Sequence, residues 1–135
     1  MNGRFQIAVH ILTLLHSAGD AMLSSEYIAG SVNVNPVLIR KELSTLRNAG
    51  LVASKEGKNG GYSLGKPANA ISMADVYEAV QQAQVLGKAR NIPNPKCPVG
   101  RQISAHLNHL DNSLSELLVK QLNKTSLEEF YRNFK

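Results

Sequence analysis

Between Ser24 and Leu64 the chain carries two short helix signals, a turn and a glycine-cornered pair of strands, and few folds admit that order. Ser24 and Ser25 stand where a helix begins, so their hydroxyls can accept an N–H of its first turn. Asn35 followed by Pro36 opens a second helix. Asn35 is its N-cap, and Pro36 takes the first helical position, where a missing N–H loses nothing. That helix runs to Gly50, a residue type that closes helices in the left-handed conformation. Leu51–Lys55 and Gly61–Leu64 read as two strands. The loop between them, Glu56-Gly57-Lys58-Asn59-Gly60, is rich in residues that tolerate positive φ. Helix, turn, helix and hairpin in this order is the layout of a winged helix.

The flanks supply the rest of a core. Phe5, Ile7, Ala8, Ile11, Leu12, Leu14 and Leu15 recur at helical spacing and predict a helix over 4–16 that stops near Ala18-Gly19-Asp20. A helix over about 25–30 is expected to bury Tyr27, Ile28 and Ala29. The next buries Leu38, Ile39, Leu43 and Leu46 and leaves Val37, Arg40, Lys41, Ser44 and Arg47 towards the other face. After the break at Lys66-Pro67-Ala68-Asn69, Ser72 and Asp75 form a capping box for a helix through Val76, Tyr77, Ala79, Val80 and Ala83. Residues 87–100 hold Pro93, Pro95 and Pro98, with Lys88, Arg90 and Lys96 followed by Arg101 and no acid, and are expected to form a mobile loop. Beyond it Ile103, Leu107, Leu110, Leu114, Leu117 and Gln121 step by fours and threes, with Leu118 and Leu122 widening the stripe. This is a helical seam of about three heptads. Thr125 and Glu128 suggest a capping box for a short last helix carrying Leu127, Phe130 and Phe134. The expected fold class is mainly α with a small β-hairpin wing. It comprises a winged helix-turn-helix DNA-binding region over 1–83, a loop over 84–100, and a dimerisation helix with a short C-terminal helix over 101–135, all one structural domain.

At 135 residues the chain can bury one proper core. No apolar run approaches the ~20 residues of a membrane span, and the first residues show neither a signal peptide nor a lipidation signal, so a cytoplasmic protein without a membrane partner is expected. Cys97 is the single cysteine, which excludes an intrachain disulfide and suits a reducing compartment. The net charge is +5, and residues 24–66 carry six basic against three acidic groups, a balance that suits a polyanion. A helix-turn-helix places its second helix in the major groove of double-stranded DNA. The candidate contacts are therefore Asn35, Pro36, Val37, Arg40 and Lys41, with Arg40 able to pair with guanine or grip a phosphate. Ser24 and Ser25 can hold a phosphate at a helix start. Lys55, Lys58, Asn59, Gly60 and Tyr62 form the wing, with Tyr62 either on a phosphate or packed inward. Ile103, Leu107, Leu110, Leu114, Leu117 and Leu118 are expected at a homodimer interface, because leaving such a seam wet costs ~25 cal/mol per Å². A symmetric pair also sets two reading helices ~34 Å apart. The alternative is a winged-helix module for protein contacts, with the seam as its working surface. No serine elbow, phosphate loop or paired metal-ligand motif points to an enzyme.

Asn59-Gly60-Gly61-Tyr62-Ser63-Leu64, preceded by Ala49-Gly50-Leu51-Val52 and followed by Ile71-Ser72-Met73-Ala74-Asp75-Val76, resembles the Rrf-two family of bacterial transcription regulators. The resemblance covers nearly the whole length, including Thr125-Ser126-Leu127-Glu128-Glu129. It implies a homodimer whose winged heads are joined through the long C-terminal helix and bind a pseudo-palindromic operator, usually as a repressor. The family's cluster-binding members carry three cysteines in the loop before that helix. This chain has Cys97 only, and a [2Fe–2S] centre takes four protein ligands, so neither a cluster nor another cofactor or metal is expected. His106 and His109 read as solvated, and Lys96-Cys97-Pro98-Val99-Gly100-Arg101 resembles a cluster-free branch. Cys97, beside Lys96, near Arg101 and ahead of a helix start, is a candidate sensor thiol for an oxidant. Its alternative role is a small apolar residue in the dimer interface. The basic loop is also a candidate seat for a small anionic effector.

Overall fold

The computed structural model describes residues 3–80, 84–87 and 89–135. Ala83, at the expected end of the fourth helix, and Lys88 of the basic loop lie outside them. The order of elements is α1 (Arg4–Ser17), α2 (Ser25–Val32), α3 (Pro36–Asn48), β1 (Val52–Lys55), β2 (Gly61–Leu64), a 3-10 turn (Ala68–Ala70), α4 (Met73–Val80), α5 (Ile103–Leu122) and α6 (Leu127–Tyr131). The fold is mainly helical with one two-stranded antiparallel hairpin, as the sequence predicts. No helix among the described residues is long and apolar enough to cross a membrane.

Helix α1 is the hub. Ala8, Ile11, Leu12 and Leu15 face inward along one stripe and are fully buried, and the helix touches α2, α3, α4, α6 and β2. Ile28 from α2, Ile39, Leu43 and Leu46 from α3, Leu51 and Ile71 from the connections, Val76 from α4 and Leu127 from α6 close the core around it. Each such aliphatic side chain contributes about 1.5–3 kcal/mol by leaving water.

The wing is anchored at both sides. In the hairpin Val52 pairs with Leu64 and Lys55 with Gly61. A further rung joins Tyr62 to Leu23, N to O at 2.8 and 3.0 Å, so the hairpin is tied to the segment that leads into α2. The C-terminal end returns to the same body. The Met73 amide donates to the Thr125 carbonyl at 2.9 Å and the Leu127 amide to the Ile71 carbonyl at 2.7 Å, pinning the start of α6 to the start of α4.

Several expectations change in detail. Ser25 does not cap α2. Ser24 does, while Ser25 is the first helical residue and is buried. Tyr27 and Leu38 are exposed rather than buried, because each lies one position, about 100° of helix, before the residues that face the core. Helix α2 passes through Gly30 and stops only at Asn33, whose φ of 65° is left-handed. Leu51 belongs to the core and precedes β1. The cap of α6 is Ser126, which exchanges hydrogen bonds with Glu129, one residue later than the expected Thr125 and Glu128. The capping box of Ser72 and Asp75 is present, at 3.0 Å in both directions.

Candidate nucleic-acid interface

Helix α3 has two opposed faces. Ile39, Leu43 and Leu46 are fully buried. Val37, Arg40 and Lys41 face outward, and Val37 is 65% exposed although it is apolar. At the helix start the Asn35 side-chain oxygen accepts the Val37 amide at 2.8 Å with Pro36 in the first turn, so the exposed residues sit at a rigid, capped end. That end carries partial positive charge from unpaired amides, which adds to Arg40 and Lys41.

The start of α2 lies beside that face. The Ser24 hydroxyl oxygen accepts the Tyr27 amide at 3.1 Å. Glu26, one residue beyond Ser25, accepts the Ser25 hydroxyl at 3.3 Å and meets the Arg40 guanidinium at 3.8 Å. Both partners of that ion pair are largely solvated, so it is worth little and a phosphate can displace it. The turn between the two helices is closed by Asn33, whose amide donates to the Ala29 carbonyl at 2.8 Å. Sequence reasoning missed this stop. Asn is the residue after glycine best suited to a left-handed helix end, and that was the available signal.

The wing tip holds Lys55, Lys58 and Asn59 in the open. Its turn is closed by the Gly60 amide on the Gly57 carbonyl at 3.0 Å. A Cβ on Gly60 would collide with the Lys55 carbonyl oxygen, so this position needs glycine. The Arg47 guanidinium donates to the Ser54 hydroxyl at 3.2 Å and braces the wing against the end of α3. Tyr62 is half-buried against the core, which is the inward of its two expected roles. Ser24, Asn35, Pro36, Val37, Arg40 and Lys41 thus cluster at the starts of two adjoining helices, and the wing residues reach out from the other end of α3. Ser25 is the one candidate removed from the surface.

Cys97 and the leucine seam sit on separate elements. Cys97 is exposed in the single chain. It precedes Pro98 as Asn35 precedes Pro36, and its carbonyl accepts the Arg101 amide at 3.0 Å, one helical turn ahead of α5. The amides of Gly100 and Val99 hydrogen-bond its sulfur and hold the thiol below its ordinary pKa. The expected direction is met, through backbone amides rather than the neighbouring cations. On α5, Leu107, Leu110, Leu114 and Leu117 form a bare ridge, 39–65% exposed. Ile103 and Leu118 are half-buried, and Leu122 packs on the core. The expected stripe therefore divides between the chain's own body and an uncovered side. Asp111, which sequence reasoning did not single out, is buried and accepts the Leu86 amide at 2.8 Å.

Comparison with known proteins places these features. Residues 1–133 match the family described as "Rrf2: Iron-dependent Transcriptional regulator". The "Putative HTH-type transcriptional regulator YwnA" of Bacillus subtilis (strain 168) is 40% identical over 129 residues, covering 96% of this chain and 95% of that protein. A solved structure titled "Crystal structure of a putative DNA binding protein" is 37% identical with a TM-score of 0.74, covering 94% of this chain and 97% of that one. The structure of CymR, the global cysteine regulator of B. subtilis, has a TM-score of 0.69 at 24% identity over all of this chain and 98% of its own, and shares the fold. The match to the family spans nearly the whole chain, and the chain belongs to the Rrf2 family of DNA-binding transcriptional regulators.

Proposed function

We propose that this protein is a homodimeric repressor that binds a pseudo-palindromic operator, with the start of α3 in the major groove and the wing along its flank. The single observation that carries the reading is the two-faced construction of α3. A capped helix end presents Val37, Arg40 and Lys41 outward while its opposite side is locked into the core. In this role Arg40 grips a guanine edge or a phosphate, Val37 meets a thymine methyl, and Lys55, Lys58 and Asn59 hold the flanking backbone. The bare leucine ridge of α5 supports pairing, and an operator covered by the pair is closed to transcription. The family's regulatory role accounts for these residues without catalysis.

The donors of this chain do not fit an iron–sulfur cluster. Cys97 is the only thiol in the sequence, and no three His, Cys, Asp or Glu side chains converge among the described residues. His106 and His109 stand exposed on α5. Regulation in this reading runs instead through the Cys97 thiolate. It attacks the terminal oxygen of a hydroperoxide, the O–O bond breaks, the sulfur keeps the OH group as sulfenic acid, and the departing hydroxide or alkoxide takes a proton from solvent to become water or an alcohol. The turn that carries Cys97 leads directly into α5, so a changed sulfur acts on the helix that joins the heads.

Selection of bound fragments from the source genome by the purified protein, followed by titration against the selected duplex at several salt concentrations, tests the reading. A pseudo-palindromic motif is expected, with affinity falling steeply as salt rises because neutralised phosphates release counterions. Arg40→Ala and Lys58→Ala weaken binding at unchanged melting temperature. Recovery of no common motif, with affinity insensitive to salt, would end the operator reading.

A further inference from the structure

The buried side of the reading helix holds one charge. Glu42 stands in the stripe of Ile39, Leu43 and Leu46 and is 1% exposed. Its partner is Arg4, the first residue of α1. Arg4 Nε lies 3.1 and 3.0 Å from the two carboxylate oxygens, and Nη2 lies 2.9 Å from Oε1. The same Nη2 reaches the Thr45 hydroxyl at 3.5 Å, and that hydroxyl donates to the Lys41 carbonyl at 3.2 Å. Arg4 is thus bonded to two successive turns of α3.

A leucine at position 42 would fill this place without desolvating a charge, and a buried ion pair is a poor source of net stability. What the pair supplies is direction. Aliphatic packing is non-directional and tolerates some rotation of a helix about its own axis, and crossing angles between helices themselves scatter by ~15–20°. A guanidinium fork on a carboxylate does not, because its hydrogen bonds demand coplanar approach. For a side chain tip ~6 Å from the axis, a rotation of ~15° is a shift of roughly 1.6 Å, enough to lose a base contact of hydrogen-bond length.

We propose that Arg4 and Glu42 are positioning residues for operator recognition. Their pair fixes the rotation of α3 on α1, so that Val37, Arg40 and Lys41 meet the bases in one register, and it serves discrimination rather than stability. This rests on the operator reading above. The test compares the wild-type chain, the double variant Arg4→Met with Glu42→Leu, and Arg4→Lys, which keeps the charge and loses the fork. Each is melted and titrated against the selected operator and against a scrambled duplex of equal length. The double variant is expected to melt within a few degrees of wild type, bind the scrambled duplex with the same affinity, and lose about tenfold or more on the operator. Arg4→Lys is expected to lose discrimination in the same direction, which keeps the proposal testable if the double variant fails to fold. Wild-type discrimination in either folded variant overturns it. A wild-type chain that does not distinguish the two duplexes instead overturns the operator reading on which it stands.

Discussion

The sulfur of Cys97 occupies the place that a capping oxygen takes at a helix start. With Pro98 in the following position, the amides of Gly100 and Val99 turn towards it and favour the thiolate. The sign has two consequences. At neutral pH a larger fraction of the thiol is ionised than in free cysteine, so it reacts faster with electrophiles. Because the folded chain has the lower pKa, ionisation adds to the stability of the fold above the ordinary thiol range, and that increment fades as pH falls through the folded value. The rate of carboxamidomethylation of Cys97 against pH should show its midpoint below that of a free thiol. Unfolding in urea removes the amides and should return the midpoint to the ordinary range. A midpoint unchanged by urea would mean that the turn does not activate the sulfur.

Among the elements, α3 depends most on its own first turn. Asn35 binds the Val37 amide, and both residues stand at the end that meets the operator in the proposed reading. Asn35→Ala should cost about 1 kcal/mol in urea unfolding through the lost cap. Asn35→Asp should retain that stability and still weaken operator binding, since it sets a negative charge against phosphates. Equal binding by the Asp variant would place Asn35 away from the duplex. The same element shows how much was legible in sequence. Asn35-Pro36 and Gly50 mark its ends because capping is local chemistry, and Gly50 has the left-handed φ of 80° that such an end requires. Ile39, Leu43 and Leu46 mark its inner face because periodicity is local too. The pairing of Glu42 with Arg4 crosses 38 residues, and nothing in either neighbourhood announces it except a carboxylate at an inward position. Arg40 was legible as an outward-facing cation, whereas its contact with Glu26 depends on how two helices meet. At the C-terminus the capping box was displaced by one residue, from Thr125 to Ser126. Two adjacent hydroxyls can each cap, and the bridge between Ser72 and Ser126 decides between them.

The whole molecule is a head closed around α1 with one long helix whose outer side is uncovered. Helix α5 has 20 residues, about 30 Å of helix, and its residues divide between two tasks. Asp111 and Leu122 serve the chain's own body, through the Leu86 amide and the core, and Leu118 is half-buried. Leu107, Leu110, Leu114 and Leu117 remain in water, spaced by three, four and three along a continuous ridge. A ridge of that spacing is satisfied by a second copy of itself, since a two-fold pairing buries both ridges at once and leaves no open end for further growth. Sedimentation equilibrium at micromolar concentration should give twice the chain mass of 14.7 kDa. Leu110→Glu combined with Leu117→Glu places four like charges in the paired ridge and should yield a monomer of unchanged helical content, because neither side chain contributes to the chain's own core. That monomer keeps each reading head intact but loses the linkage between them. Its operator affinity should fall by orders of magnitude towards that of a single half-site. A wild-type chain that sediments as a monomer, or a charged-ridge variant that still binds the full operator as tightly, would show that the two half-sites are not read by a pair joined through α5.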